Sequence, residues 1–167
     1  KYDSANDSPL RLGITDRVAS GTGTTFRTGF GANDRCYDQG DGKIYTEDTG
    51  TSYGNTFAVG DIIGVALDLD NNKIYFSKNG TFQNSGNPAG NSNGFAITAP
   101  ASTANGFYFA VVGLVSGSGV AQVSYNFGSP SFSISSGNAD GNGFGNFEYA
   151  VPSGFFSLCT KNLAEFG

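Results

Sequence analysis

Carboxylates are the side chains of this chain best suited to chemistry, and they fall in two groups. Asp68 and Asp70 flank Leu69 and run into Asn71-Asn72, while Asp34, Asp38 and Asp41 lie in a Gly-rich stretch. Calcium takes several oxygen ligands, so each group invites a metal test. The EF-hand loop needs a Gly at its sixth position and a Glu at its twelfth. Counted from Asp68, the sixth residue is Lys73. These residues suit instead a hairpin turn whose Asp and Asn side chains bond the local backbone. Asp34, Asp38 and Asp41 have the chemistry to coordinate calcium or to bond sugar hydroxyls, but they are read as solvated loop carboxylates. No metal site is assigned.

Glycoside hydrolysis needs two carboxyl groups about 5–9 Å apart across the scissile bond. Strand residues two apart share a face, so a Glu-x-Asp-x-Glu strand would supply the pair. Glu47, Glu148 and Glu165 are widely separated, and Asp68 and Asp70 share a face only at a hairpin end. No catalytic residue is expected. The chain has no His, which removes Ser-His-Asp triads, Cys-His dyads and His-ligated zinc. Its two cysteines, Cys36 and Cys159, cannot complete a four-Cys site and are expected as reduced or buried thiols. No cofactor is implied.

The 167 residues suit one domain with a real core. Charged residues make up 14%, against about 25% in an average domain. The net charge of −5 makes nucleic acid and anionic membrane poor partners. No apolar run approaches the roughly 20 residues of a spanning helix. No signal-peptide pattern opens the chain, and a first residue Lys1 in place of Met is expected of a fragment or processed chain. The sequons at Asn6-Asp7-Ser8 and Asn79-Gly80-Thr81 are read as chance matches.

The elements that must position these groups are strands. Gly, Asn, Ser and Thr punctuate the chain and favour turns over helix interiors. Ile62 to Asp70 reads as a strand apolar on both faces in its first part, as inside a sandwich. Asn71-Asn72 suits a two-residue hairpin, Lys73 to Lys78 the return strand, and Asn79-Gly80 the next turn. Leu10–Ile14, Thr24–Gly29, Lys43–Thr46 and Val120–Phe127 are further expected strands, and Phe107–Leu114 a central one. Phe57, Phe76, Phe107, Phe109 and Phe127 are expected in the core. Gln83–Asn93 and Ser133–Asn146 read as long loops, and Thr160–Phe166 as one short helical turn. Many short strands with Gly-rich turns predict an all-β sandwich or barrel.

Several of these words resemble the SPRY domain: Gly40-Asp-Gly-Lys-Ile-Tyr45, Ser52-Tyr-Gly54, the run Gly60 to Asp70, Ile74-Tyr-Phe-Ser-Lys-Asn-Gly80, Gly106-Phe-Tyr-Phe-Ala110 and Asn126-Phe-Gly128. The resemblance covers about residues 10–128. The chain departs from it at Arg35-Cys36-Tyr37, where the family often has Trp-Gly-Tyr, and at Ala110, where it often has Pro. The resemblance implies an antiparallel two-sheet β-sandwich of the concanavalin A-like jelly-roll type, in one domain over 1–167 with a C-terminal extension at 129–167. It also implies a recognition module rather than an enzyme. Gly145 to Leu163 is similar to endings of SPRY-containing virion proteins of marine bacteriophages.

The expected function is therefore a non-catalytic module of a virion protein, a fibre or capsid decoration outside the cell that contacts host glycan or protein. Expected partners are other virion or assembly subunits in an oligomer, with no nucleic acid and no membrane insertion. Two rivals are a purely structural subunit-assembly domain and a bacterial adhesin or extracellular filament module. Exposed aromatics stack on sugars or anchor proteins, and Tyr37, Tyr53 and Phe82 are the loop candidates. With Arg35, Asp38, Asp41 and Asn84 they make up the expected ligand-binding set.

Overall fold

The computed structural model describes residues 1–4, 9–17, 28–115 and 120–166. The strand expected over Thr24–Gly29 falls mostly outside them, and the sequon at Asn6 entirely so; Thr28 and Gly29 form a turn.

Alternation of apolar and polar residues builds the first sheet. Its strands are β2 (Leu10–Thr15), β3 (Arg35–Asp38), β4 (Lys43–Thr46), β5 (Thr49–Ser52) and β10 (Phe109–Leu114), in the order β10-β2-β3-β4-β5. All neighbours are antiparallel. The second sheet pairs β6 (Ile63–Asp68) with β7 (Lys73–Lys78). Beyond β7 lie β8 (Thr81–Phe82) at one end and β9 (Phe95–Ala96) at the other. A short pair, β1 (Tyr2–Ser4) with β11 (Gln122–Val123), lies beside the turn before β6. There the Tyr2 N–H donates to the Asp61 carbonyl at 3.1 Å, and the Gly60 N–H to the Tyr2 carbonyl at 2.8 Å.

Inward residues of the two sheets form one aromatic core. Tyr37, Tyr53, Phe57 and Phe76 are buried, with the Tyr37 ring 5.4 Å from both Phe57 and Phe76. Ile44 and Ile74 are fully buried in the same cluster. The two-sheet antiparallel sandwich expected from the sequence is the fold.

Several local expectations change. The β6–β7 loop is four residues, Leu69 to Asn72, because the last pair is Asp68 with Lys73. β6 pairs with β7 alone among the described residues, so it is an edge strand, and Val65 is exposed. Among the described residues β10 is also an edge rather than central, and Phe107 and Phe109 are exposed. Of Val120–Phe127 only Gln122–Val123 is strand, and Phe127 is exposed. The helix α1 (Thr160–Phe166) has seven residues, about two turns. The Asn79-Gly80 turn is as expected: both residues have positive φ, 47° and 82°, as a type I′ hairpin demands.

Residues after Gly128 make a third layer, packed on the outer face of the second sheet. The Phe155 ring sits edge-on to Tyr75 at 6.4 Å, and the Asn126 side-chain amide donates to the Asn146 carbonyl at 2.8 Å. Gly80 admits the Tyr149 ring where a Cβ would come within 2.7 Å of it. Ala66, Tyr75 and Ser77, which alternate with the core residues of their strands, are buried. The layer is tied by one buried carboxylate, Asp140. It accepts from the Ser157 N–H and hydroxyl, the Asn162 amide, and the N–H groups of Asn142 and Phe144, all within 2.7–3.0 Å.

Candidate functional site

The outer face of the first sheet carries a buried polar frame rather than reactive groups. Residues alternating with Leu10, Leu12 and Ile14 point there: Arg11, Gly13 and Thr15. The Arg11 guanidinium lies 3.4 Å from the centre of the Tyr45 ring, and its Nε bonds Asp38 at 2.9 Å. Asp38 also accepts from the Gly40 and Asp41 N–H groups, which shapes the β3–β4 turn. Asp34, fully buried, pairs with Arg17 at 2.5 Å and accepts from the Thr15 hydroxyl at 2.7 Å and the Gly29 and Gly31 N–H groups at 3.0 Å. Burial works against its charge, but these partners outweigh it and hold its carboxyl below the ordinary value. Each carboxylate is committed to a partner, and burial raises the Cys36 thiol between them. Cys36 and Cys159 are both free thiols.

Two rims flank this frame, at opposite ends of β3. The first joins three loops. Gly42 and Gly54 touch, the Gly54 N–H donating to the Gly42 carbonyl at 2.9 Å, and a Cβ on Gly42 would lie 2.2 Å from the Gly54 oxygen. The Gln83 side chain accepts from the Asn55 N–H at 2.9 Å. Asp41, Asn55 and Asn84 are exposed along this rim. The Asp41 carboxylate takes the Tyr45 hydroxyl at 2.8 Å and the Lys43 N–H at 3.1 Å. Partial desolvation opposes its charge, but these bonds prevail and hold its carboxyl below the ordinary value.

The second rim surrounds Arg35. Its guanidinium donates to the carbonyls of Ala96 (2.7 Å), Asp34 (2.8 Å) and Ala32 (3.1 Å), and it sits 6.0 Å from the Phe95 ring. Beside it the Asn33 amide donates to Asp16 at 2.7 Å, the Thr98 hydroxyl donates to Asn33 at 2.7 Å, and the Tyr108 hydroxyl donates to the Thr98 carbonyl at 2.9 Å. Phe107 and Phe109 flank Tyr108, exposed and edge-to-face at 5.0 Å. An exposed aromatic pair beside satisfied polar groups is the composition of an interaction hot spot.

The expected ligand-binding set divides accordingly. Asp41 and Asn84 share the first rim, and Phe82, half-buried, stacks edge-on to Tyr75 at 6.5 Å. Arg35 belongs to the second rim. Tyr37 and Tyr53 are not loop residues available to a ligand: each is core, because each takes an inward position with its hydroxyl bonded to backbone, Tyr37 to the Asn55 carbonyl and Tyr53 from the Phe76 N–H at 3.0 Å. Asp38 is likewise buried, under Arg11. Phe107 and Phe109, expected in the core, are exposed instead, because an aromatic, β-branched run reads the same on an edge strand as on a central one.

Asp68 accepts the Asn71 N–H at 2.9 Å and the Asn71 amide at 2.8 Å, the turn bonding expected of it. Among the described residues no three or more His, Cys, Asp or Glu gather closely enough to hold a metal ion. Among the described residues no helix is long and apolar enough to cross a membrane. Residues 3–129 match the family model of the SPRY domain. No curated protein matches the chain.

Proposed function

The chain belongs to the SPRY domain family, non-catalytic modules that recognise protein partners, and we propose that its recognition surface is the Arg35 rim with the Phe107–Phe109 pair as anchor. The observation that carries this reading is that pair: two large apolar rings in solvent, edge-to-face, next to polar groups already satisfied within the fold. Such rings lose water on contact at little entropic cost, while the pinned polar rim keeps its shape.

In its finer form the module sits on a virion protein outside the cell, among other subunits, and meets host protein or glycan. The similarity of Gly145–Leu163 to virion-protein endings supports this, as do the low charge and the neutral Asn, Ser and Thr loops. Modest polar contacts of this kind add through multivalency.

The test is binding of the labelled, multimerised domain to host cells and a glycan panel, with calcium and with EDTA. Saturable binding is expected. Phe107→Ser and Phe109→Ser should each weaken it by about tenfold or more, the effect of an aromatic hot spot of about 2 kcal/mol. Asn84→Ala, on the opposite rim, should leave it unchanged. Binding that survives both Phe substitutions would move the surface elsewhere, and loss in EDTA would return the acidic loops as metal sites.

A further inference from the structure

Arg35 is a half-buried cation without an anion. Its Nε and Nη1 donate to the Ala96, Asp34 and Ala32 carbonyls and to the Thr46 hydroxyl, which are dipoles without net charge. Its Nη2 donates to none of the described residues. Arg11 and Arg17 each hold a carboxylate, Asp38 at 2.9 Å and Asp34 at 2.5 Å, whereas Arg35 holds none among the described residues. Asp34 is committed to Arg17, and Asp16, the other acid of this rim, takes the Asn33 amide. Burial lowers the guanidinium from its ordinary value, and Tyr108 and Asp34 offset that only in part.

The chain's own residues do not supply the missing charge. Residues 18–27, the part of the β2–β3 connection outside the described residues, contain no Asp or Glu. They add a further cation, Arg27, so residues 16–35 carry three arginines against two aspartates in a chain of net charge −5. The one Asp or Glu outside the described residues is Asp7. It comes two residues before Pro9, which lies against Gly40 at the far end of β2. Five residues of extended chain, roughly 16 Å, separate Pro9 from Ile14, the partner of Arg35, and two residues do not span that.

We propose that Arg35 recognises a carboxylate: the protein partner of this rim presents an Asp or Glu side chain to the guanidinium and a large apolar side chain to Phe107 and Phe109. This rests on the rim being the recognition surface, and it adds the chemistry of what the rim takes. A guanidinium already held by three carbonyls is fixed in place, so little freedom is lost when a carboxylate meets Nη2. The bond formed is charge-assisted and about twice as strong as a neutral one. The strand register sets the spacing. Ile14 pairs with Arg35 on one side and Ala110 on the other, and Thr15 pairs with Phe109. β2 ends at Thr15, while β3 begins at Arg35 and β10 at Phe109, so all three lie at the same end of the sheet. Arg35 shares the core side with Ile14 and Phe109 the outer side with Thr15, so a segment crossing the sheet end meets both. They stand two strand spacings apart, about 10 Å. An extended segment covers this in about three or four residues, which separate its acid from its apolar side chain.

The experiment is an array of acetylated Gly/Ser peptides, each with one Leu and one Asp at a separation from one to six residues, beside twins with Asn in place of Asp. It is probed with the labelled, multimerised full chain. Asp peptides with a separation of three or four should reach half-saturation at a concentration about tenfold or more below that of their Asn twins. Arg35→Gln should erase the difference, and Arg35→Lys should keep part of it, because the charge stays and the planar fork is lost. Phe107→Ser should weaken Asp and Asn peptides alike. If Arg35→Gln does not fold, the Asp-to-Asn ratio of the unaltered chain decides alone. Equal binding of Asp and Asn peptides overturns the carboxylate, and the rim still stands if Phe107→Ser weakens both. Binding indifferent to Phe107→Ser and Arg35→Gln removes the rim as well. No binding to any peptide, or Arg35-dependent binding to sialylated glycans in place of peptides, overturns the proposal.

Discussion

At the scale of residues, the molecule uses charge for shape. Asp38 neutralises Arg11 in a site where both side chains are almost wholly buried. Asp38→Asn keeps the size but removes the counter-charge, leaving the guanidinium with a weak second partner, Asp48, at 3.4 Å. Breaking a buried pair by removing one member costs about 3–5 kcal/mol, and urea unfolding of the variant should show a loss of that order. Asp140 is set differently, by hydrogen bonds alone. Burial disfavours its charge, but the Ser157 N–H and hydroxyl, the Asn162 amide and the Phe144 N–H prevail, so its carboxyl ionises far below the ordinary value. Asp34 is lowered in the same direction. Because the folded-state values are depressed, their stabilisation is complete above the unfolded-state value of about 4 and drains away as pH falls below it. The melting temperature should therefore be flat from pH 7 to 5 and fall below about 4. Asp140→Asn should melt lower at pH 7 and lose less of its stability on acidification. An equal acid slope in the variant would remove Asp140 from this role.

At the scale of elements, glycines decide which loops touch. Gly42 has φ +70° and no room for a Cβ against the Gly54 carbonyl. Gly42→Ala should cost about 1–3 kcal/mol through strain and displacement of the turn, read as a lower denaturant midpoint. Signals of this kind were legible where local chemistry dictates geometry. Asn79-Gly80 announces its turn, and the β6–β7 hairpin follows from the two β-rich runs on either side of Asn71-Asn72, although its loop is four residues rather than two. What was not legible depends on neighbours distant in sequence. Whether Val65 or Phe109 lies inside is set by the strand beside it, and an edge strand reads like a central one. Tyr37 looks like a loop aromatic because Gly and Asp surround it, yet its place opposite Leu12 and Ile44 puts it in the core. The Gly-rich loop Gln83–Asn93 reads as featureless but is held in place, partly by the Asn87–Ser92 bridge and the Tyr75–Asn91 bond. Of the two rims, Arg35 and Asp41 were singled out by residue type, while the exposure of the Phe107–Phe109 pair was hidden by its strand-like sequence.

At the scale of the whole molecule, the sandwich has one face covered by its own polar frame and the other by the third layer after Gly128. Tyr75 and Ala66 are buried there although they point away from the aromatic core. Deleting residues 130–167 should uncover that apolar surface, lower the melting temperature and promote association, measurable by light scattering during a thermal ramp. A shortened chain that stays monomeric and equally stable would mean that the layer adds nothing to the fold. β1 and α1 are fastened differently: β1 by backbone bonds along a three-residue strand, α1 through the Asn162 amide, one of the five groups gathered by Asp140, the other four coming from Asn142, Phe144 and Ser157. Under tension the Asn162 side chain is thus the fuse of the third layer: once it parts, α1 is cut off from a carboxylate knot that stays tied among the segments around it.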